Sequence, residues 1–258
     1  MKKEIESLLN DLPLPVKTHI KHLERVRSDF IANVSHELRT PLTVIHGYLE
    51  ALLKENVDDK TQLGKIFSQM YQHSIRMERI IDDLLLLSRL ENEDHQLEVN
   101  CQIDIAHMLE LLYADAKIIS SNKNQTITLK TNKNVFLEGS EEEIKSLFSN
   151  LITNAIKYTP NQGKIKIEWH TKNGNGIFKV SDNGIGISKD HIPRITERFY
   201  RVDKGRSRES GGTGLGLAIA KHVLAHHHGN LLIESKLGKG SIFTCVFPPE
   251  ITRVIKLT

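Results

Sequence analysis

Two sets of residues in this chain have types and spacing that suit chemistry. The first is the run Asn33-Val34-Ser35-His36-Glu37-Leu38-Arg39-Thr40-Pro41, which sets an imidazole, a carboxylate and a hydroxyl within about one helical turn ahead of a proline. The second lies in four short pieces further along. Asn150, Asn154 and Lys157 stand at i, i+4 and i+7 on one helix face. Amide oxygens are hard ligands that suit a Mg²⁺ ion retaining waters and phosphates, and the lysine adds charge for a phosphate. Asp182-Asn183-Gly184-Ile185-Gly186 follows a strand. Its carboxylate can accept the exocyclic amine of adenine, which guanine lacks, and its glycines let backbone approach a ligand. Thr196-Glu197-Arg198-Phe199-Tyr200-Arg201 is followed by Lys204, Arg206 and Arg208. Gly211-Gly212-Thr213-Gly214-Leu215-Gly216-Leu217 leads glycines into a helix, whose first N–H groups favour phosphate.

Each piece alone is weak. Asn-x-x-x-Asn is common on solvated helices, and a glycine-rich turn before a helix usually only turns. The glycine-rich piece lacks the Gly-Lys-Ser/Thr of a Walker loop, and no βαβ unit with a ribose-binding acid surrounds it. In this order and spacing, however, the four converge on one ligand and are far more specific than their parts.

The elements that position these groups follow from periodicity. Ile31, Val34, Leu38, Leu42, Ile45, Leu49 and Leu52 recur at steps of three and four, the stripe of a helix from about Val26 to Lys54. At about 100° per residue, His36 falls nearly opposite that stripe and Thr40 lies one turn along on the same outward face. Pro41 removes one N–H and leaves the Glu37 carbonyl without its usual partner, so a bend beside His36 is expected. After a turn at Asn56 to Asp59, a second helix carries Leu63, Ile66, Met70, His73, Met77, Ile80, Leu84 and Leu87 as a heptad seam, with His73 a structural member. A lone hairpin has too little core to be stable, so pairing of two copies into a four-helix bundle, a homodimer, is expected.

Beyond a polar linker at Glu91 to Asp94, strands and helices mix. Strands are expected at Val99–Ile103, Gln125–Lys130, Val135–Leu137, Lys164–His170, Gly176–Ser181, Asn230–Ser235 and Ser241–Phe247. Helices are expected from Asp104 to Ser120, from Ser140 to Tyr158 with a Ser140–Glu143 capping box, and from Leu215 to His227. The pattern is an α+β two-layer sandwich.

At 258 residues, with 39% hydrophobic and 26% charged residues, the chain has an ordinary globular composition. A net charge of +3, with no basic block, carries no nucleic-acid signature. Cys101 and Cys245 show no disulfide or zinc spacing, which fits a reduced cytoplasmic compartment. No run approaches the ~18 apolar residues that span a bilayer, and the charged start has no apolar core of a signal peptide, so no membrane contact is expected. His226-His227-His228 sits at a helix C-terminus, where histidines suit the dipole; adjacent helical residues point apart, which weighs against a metal site.

Together these residues resemble a sensor histidine kinase. Ser35-His36-Glu37-Leu38-Arg39-Thr40-Pro41 is similar to that family's phosphoacceptor box, and the four pieces are similar to its N, G1, F and G2 boxes. The wording of Phe30 to Val44 and of Thr196 to Lys204 is most similar to the branch that serves the phosphate regulon. The resemblance implies a multi-domain chain: a linker or sensor remnant over 1–25, a dimerising helical hairpin over 26–92, a GHKL (Bergerat) ATP-binding sandwich over 96–250 and a tail over 251–258. Relatives in that branch are membrane-anchored with a PAS domain, and Leu8 to Val16 looks like the opening of one, so an excised or deleted form is expected.

The resemblance also implies roles. His36 would accept the γ-phosphoryl group, with Glu37 holding its other N–H as base or tautomer-setter, and an aspartate of a response-regulator receiver domain would take the group on. Thr40 would orient water for a phosphatase reaction. Asp182 would hold adenine with Gly184 and Gly186 beside it. Asn154 and Asn150 would bind Mg²⁺ through the phosphates. Lys157, Tyr158, Arg198, Arg201, Gly212, Thr213, Gly214, Leu215 and Gly216 would contact the nucleotide, under a mobile lid from Gly186 to Gly212. Two other classes stay open. A hydrolysing GHKL ATPase would be expected to carry a glutamate where Asn150 stands, and a kinase-silent scaffold or phosphatase would bind the regulator without transfer.

Overall fold

The computed structural model describes residues 34–35, 37–50, 52, 60–91, 102–202 and 213–255. His36, the turn expected at Asn56 to Asp59, and Gly211 and Gly212 lie outside the described residues. The chain forms two compact units, Met1–Ile81 and Asp82–Thr258.

In the first unit, residues 37–50 form helix α1, and the long helix α2 (Lys60–Glu91) begins there and runs on past Ile81. Pro41 lies within α1 and is buried, and Thr43 Oγ1 donates to the Arg39 carbonyl at 2.9 Å. The covered side of α1 carries buried Pro41 with half-buried Leu38 and Ile45, whereas Leu42 and Leu49, expected on the covered stripe, are exposed. On α2 every seam position from Leu63 to Leu87 is buried or half-buried, as a heptad pattern requires. The helices are tied by an Arg76–Glu37 ion pair at 3.0 Å and by Tyr48 OH to Gln69. Low-numbered residues of α1 thus meet high-numbered ones of α2, the signature of an antiparallel hairpin.

The second unit contains β1 (Gln102–Ile103), α3 (Ile105–Ser120), β2 (Thr126–Thr131), β3 (Val135–Glu138), α4 (Glu141–Tyr158), β4 (Lys164–Lys172), β5 (Asn175–Asp182), α5 (Gly216–His226), β6 (Asn230–Lys236), β7 (Gly240–Phe247) and β8 (Thr252–Val254). A mixed five-stranded sheet runs β2-β4-β5-β7-β6, with only β2 and β4 parallel. A three-stranded antiparallel sheet runs β1-β3-β8. Residues 251–258 were expected as a tail, but Thr252–Val254 pair with Val135–Leu137, and Ile255 N–H donates to the Asn134 carbonyl at 2.9 Å. Three residues are too few for a periodic signal, and Pro248-Pro249 just before them reads as a terminator.

Local chemistry explains the starts and turns. The Asp104 carboxylate accepts from His107 N–H at 3.0 Å and caps α3. Asn173 and Gly174, with φ of 53° and 81°, make the two-residue hairpin turn between β4 and β5. Alternation then places Ile165, Ile167 and Trp169 of β4 inward. Phe148 of α4 stacks on Phe178 at 3.8 Å between ring centroids, with Trp169 and Phe247 at 6.4 and 6.2 Å. The chain's one tryptophan is therefore core, and its indole N–H donates to the Val135 carbonyl at 3.1 Å.

Phe148 is fully buried beneath three aromatic neighbours that cannot all collapse into its space. Phe148→Ala is expected to lower the stability of the second unit by about 3–5 kcal/mol, measured by urea unfolding followed through Trp169 fluorescence.

Candidate functional site

The site begins where β5 ends. Asp182 is held opposite Ser241 of β7 and Ile165 of β4, so its position is set by two ladders. Its Oδ1 accepts from the backbone N–H groups of Gly184 at 2.8 Å and Ser241 at 3.3 Å, and Oδ2 receives no hydrogen bond from a described residue. Burial pushes the Asp182 pKa above the ordinary carboxylate value, and the two N–H bonds offset only part of that rise.

The loop after Asp182 is clamped on both sides. Ile185 N–H donates to the Tyr158 carbonyl at 3.2 Å, and a Cβ on Gly184 would stand 2.5 Å from that same oxygen. Ile187 N–H donates to Ser235 Oγ at 2.8 Å, and Gly238 N–H to the Ile185 carbonyl at 2.7 Å. Gly186 has φ of +67° and a Cβ there would lie 2.0 Å from the Lys236 carbonyl. Both glycines are dictated by close approach.

Helix α4 presents Asn150, Asn154 and Lys157 half-buried along one face. Asn150 Nδ2 donates to Ser146 Oγ at 3.5 Å, while Asn154 makes no side-chain hydrogen bond to a described residue. A Cβ on Gly216 would meet Asn150 Oδ1 at 2.6 Å, so the start of α5 lies against Asn150. The Lys157 ammonium stands 5.1 Å from the Tyr158 ring centroid. Burial around the Tyr158 hydroxyl raises its pKa, and Arg201 nearby opposes this.

Residues 187–202 lie within the stretch expected as a mobile lid. They form successive turns, bonded from His191 N–H to Ser188 through Tyr200 N–H to Glu197 and anchored by buried Ile195. Tyr200 OH meets His191 Nδ1 at 2.6 Å, and Arg194 sits 4.3 Å from its ring and pairs with Glu197. Burial lowers the Arg198 pKa, and burial, followed by the charges of Arg198 and Lys221, lowers the pKa of His222 on α5. Phe199 N–H donates to the Gly214 carbonyl at 2.9 Å, with left-handed backbone at both residues. Residues 203–212 between them lie outside the described residues. Thr213 Oγ1 accepts from Leu215 N–H at 3.2 Å, and Leu215 offers no side-chain cap to the first turn of α5. The first N–H groups of a helix favour an anion.

Asp182, Asn150, Tyr158, Phe199 and Gly216 thus converge through direct backbone and side-chain contacts, although they come from four separated stretches. Sequence reasoning missed Ser241, Ser235, Lys123 and Gln125. Lys123 and Gln125 donate to the last carbonyls of α4, and nothing in a short Lys-x-Gln spacing announces that.

At the opposite end of α4 the Ser140–Glu143 capping box is only half made. Ser140 Oγ accepts from Glu143 N–H at 3.4 Å, but the Glu143 carboxylate faces His226 Nδ1 at 2.8 Å, and Ser140 N–H donates to His227 Nε2 at 3.3 Å. His226 and His227 were expected to point apart. Because His227 is the C-cap rather than a helical residue, both rings instead face Glu143, 5.7 Å from each other. These three side chains could in principle ligate a metal ion. The bonds of His227 argue otherwise: its Nδ1–H donates to the Val223 carbonyl at 2.9 Å while Nε2 accepts, so a neutral imidazole spends both nitrogens on the fold.

Residues 26–93 match the His Kinase A (phospho-acceptor) domain family, and residues 139–251 match the histidine kinase-, DNA gyrase B-, and HSP90-like ATPase family. The chain is 48% identical over 232 residues to the phosphate regulon sensor protein PhoR of Pseudomonas aeruginosa, covering 90% of this chain and 52% of that protein. It is 42% identical to PhoR of Haemophilus influenzae, covering 90% and 53%. The chain therefore spans about half the length of these curated relatives. Among solved structures, histidine kinase AdeS of Acinetobacter baumannii is 25% identical with a TM-score of 0.63, covering 83% of this chain and 97% of that one. The histidine kinase ThkA, solved in complex with response regulator protein TrrA, has a TM-score of 0.68 at 24% identity, covering 93% and 69%, and shares the fold. No helix among the described residues is long and apolar enough to cross a membrane.

Burial holds the His227 pKa below its ordinary 6.5, although Glu143 and the Val223 carbonyl pull it up; His226 and His228 push it further down. The unfolded chain therefore takes up the proton first as pH falls. Stability from this residue is full above about pH 6.5 and is lost as pH drops through and below it. Urea unfolding at pH 7.5 and 5.5 should show that loss, and His227→Gln should reduce it.

Proposed function

The chain belongs to the sensor histidine kinase family, and from that premise we propose that its second unit binds ATP and transfers the γ-phosphoryl group to His36. The observation that carries this reading is the convergence of Asp182, the Gly184–Gly186 turn, the Asn150–Asn154–Lys157 face and the start of α5 on one region. The Oδ2 atom of Asp182 is an acceptor for the adenine amine, held in place because Oδ1 is fixed by two backbone donors. Lys157, Tyr158, Arg198, Arg201 and the glycine-led start of α5 at Thr213, Gly214, Leu215 and Gly216 supply charge and N–H donors for the phosphates.

The Asn154 amide, which makes no hydrogen bond to a described residue, fits a hard oxygen ligand, and Asn150 Oδ1 lies beside the start of α5. These two would hold Mg²⁺, which neutralises phosphate charge when bound. An amide at 150 cannot take a proton from water, which favours transfer to a side chain over hydrolysis.

In the transfer, one imidazole nitrogen of His36 attacks the γ-phosphorus, the bond to the β–γ bridging oxygen breaks, and ADP leaves. Glu37 takes the proton or holds the tautomer, with its carboxylate anchored by Arg76 at 3.0 Å. The phosphoramidate then passes to an aspartate of a response-regulator receiver domain. Support comes from ThkA, which was solved with response regulator TrrA. Thr40 is exposed on α1 and would orient a water that attacks the regulator's aspartyl phosphate, releasing inorganic phosphate and restoring the aspartate.

A homodimer is supported by apolar residues left uncovered in the hairpin: Leu42 and Leu49 on α1, and Phe67 and Ile81 on α2 beside the heptad seam. The likeness to PhoR supports phosphate-starvation signalling as the setting, and the cytoplasm, where ATP and receiver domains are found, as the compartment.

Incubation with γ-labelled ATP and Mg²⁺ tests the reading. Acid-labile, base-stable label on the wild type and none on His36→Ala is expected. Free phosphate release that His36→Ala leaves unchanged would identify an ATPase, and neither signal would leave a regulator-binding scaffold.

A further inference from the structure

We propose that Lys123 is a positioning residue for the nucleotide site, acting through the last backbone carbonyls of α4. The inference rests on the nucleotide reading above and adds a residue outside all four motif pieces.

A helix leaves its final carbonyls without partners, and here they stand beside a ligand site. Lys123 answers with one ammonium. Its three N–H groups have three backbone acceptors: the carbonyls of Ile156 at 2.9 Å, Lys157 at 2.8 Å and Thr159 at 3.2 Å. The positive charge also opposes the negative end of the helix dipole. The fourth carbonyl in this stretch, that of Tyr158, is left for Ile185 N–H at 3.2 Å. All four carbonyls from 156 to 159 are therefore assigned, and the one Lys123 does not take docks the loop that carries Gly184 and Gly186.

The backbone around Lys123 is itself braced for this. It closes the 3-10 turn Ser121–Lys123, Asn124 follows with left-handed φ of 49°, and the Lys123 carbonyl accepts from Gln162 N–H at 2.9 Å. Gln125, two residues on, provides an internal comparison. Its Nε2 donates to Ile156 at 3.0 Å and Thr159 at 2.7 Å, duplicating two of the three bonds. The Lys157 carbonyl is reached by Lys123 and not by Gln125. Loss of Lys123 therefore leaves most of the cap in place and releases the backbone of Lys157 and Tyr158, whose side chains face the nucleotide in the reading above.

Titration of the chain with ADP and Mg²⁺, at a temperature where every variant is folded by circular dichroism, tests this. Lys123→Met is expected to weaken ADP binding about tenfold and to speed amide exchange in the segment 183–187 of the nucleotide-free protein. Lys123→Arg should recover most of the affinity, and Gln125→Ala should lower the melting temperature with little change in ADP affinity. Lys123→Gln, which keeps two N–H donors, serves where the methionine variant fails to fold, and should bind ADP at an intermediate level. ADP affinity within twofold of wild type in Lys123→Met or Lys123→Gln overturns the positioning role alone. Absence of ADP binding by the wild type overturns the nucleotide reading and this role with it.

Discussion

The second unit depends on how α4 is allowed to end. A helix that stops at a ligand site must satisfy its last carbonyls without burying the ligand's space. Here the Tyr158 carbonyl accepts Ile185 N–H, and that bond sets the loop that follows Asp182. Gly184 must be glycine because a Cβ would press on the same oxygen, and Gly186 because its backbone is left-handed against Lys236. With that loop placed, the Gly184 N–H fixes one oxygen of Asp182, and the other receives no hydrogen bond from a described residue. The chemistry proposed for Asp182 is thus a consequence of a helix terminus.

The other end of α4 is secured by different means. Glu143, the second residue of its expected capping box, is drawn to His226, while His227 supplies the acceptor that Ser140 N–H needs. A Cβ on Gly139 would stand 2.4 Å from His227 Nε2, so that glycine too is set by the imidazole. The same two helices meet again near Asn150, where Gly216 leaves room for the asparagine. Histidines at one end and glycine at the other hold α5 against α4, so the start of α5 lies beside the Asn150–Asn154 face.

What could be read in advance was whatever leaves a periodic or motif trace. The heptad seam of α2 and the caps at Asp104 and Ser140 are local rules, and each element formed where those rules apply. Features that depend on distant partners had no such trace. β8 exists because β3 offers an edge, Glu143 turns to His226 because α5 ends nearby, and Lys123 is a cap for a helix that ends some 35 residues later. The exposed Leu42 and Leu49 show the same limit, since Pro41 rather than either leucine occupies the covered side of α1.

The role proposed for His36 depends on the nucleotide site proposed in the second unit, so the identity of the ligand there is the central claim. Titration calorimetry with ADP and with GDP, on the wild type and on Asp182→Asn, tests it most directly. The substitution keeps Oδ1 for the Gly184 and Ser241 N–H groups but puts a donor where Oδ2 would meet the base in the proposed complex. The account predicts that the wild type binds ADP at least about tenfold more tightly than GDP, and that Asp182→Asn loses that preference through weaker ADP binding. Equal affinity of the wild type for ADP and GDP, or ADP binding unchanged in Asp182→Asn, would contradict it.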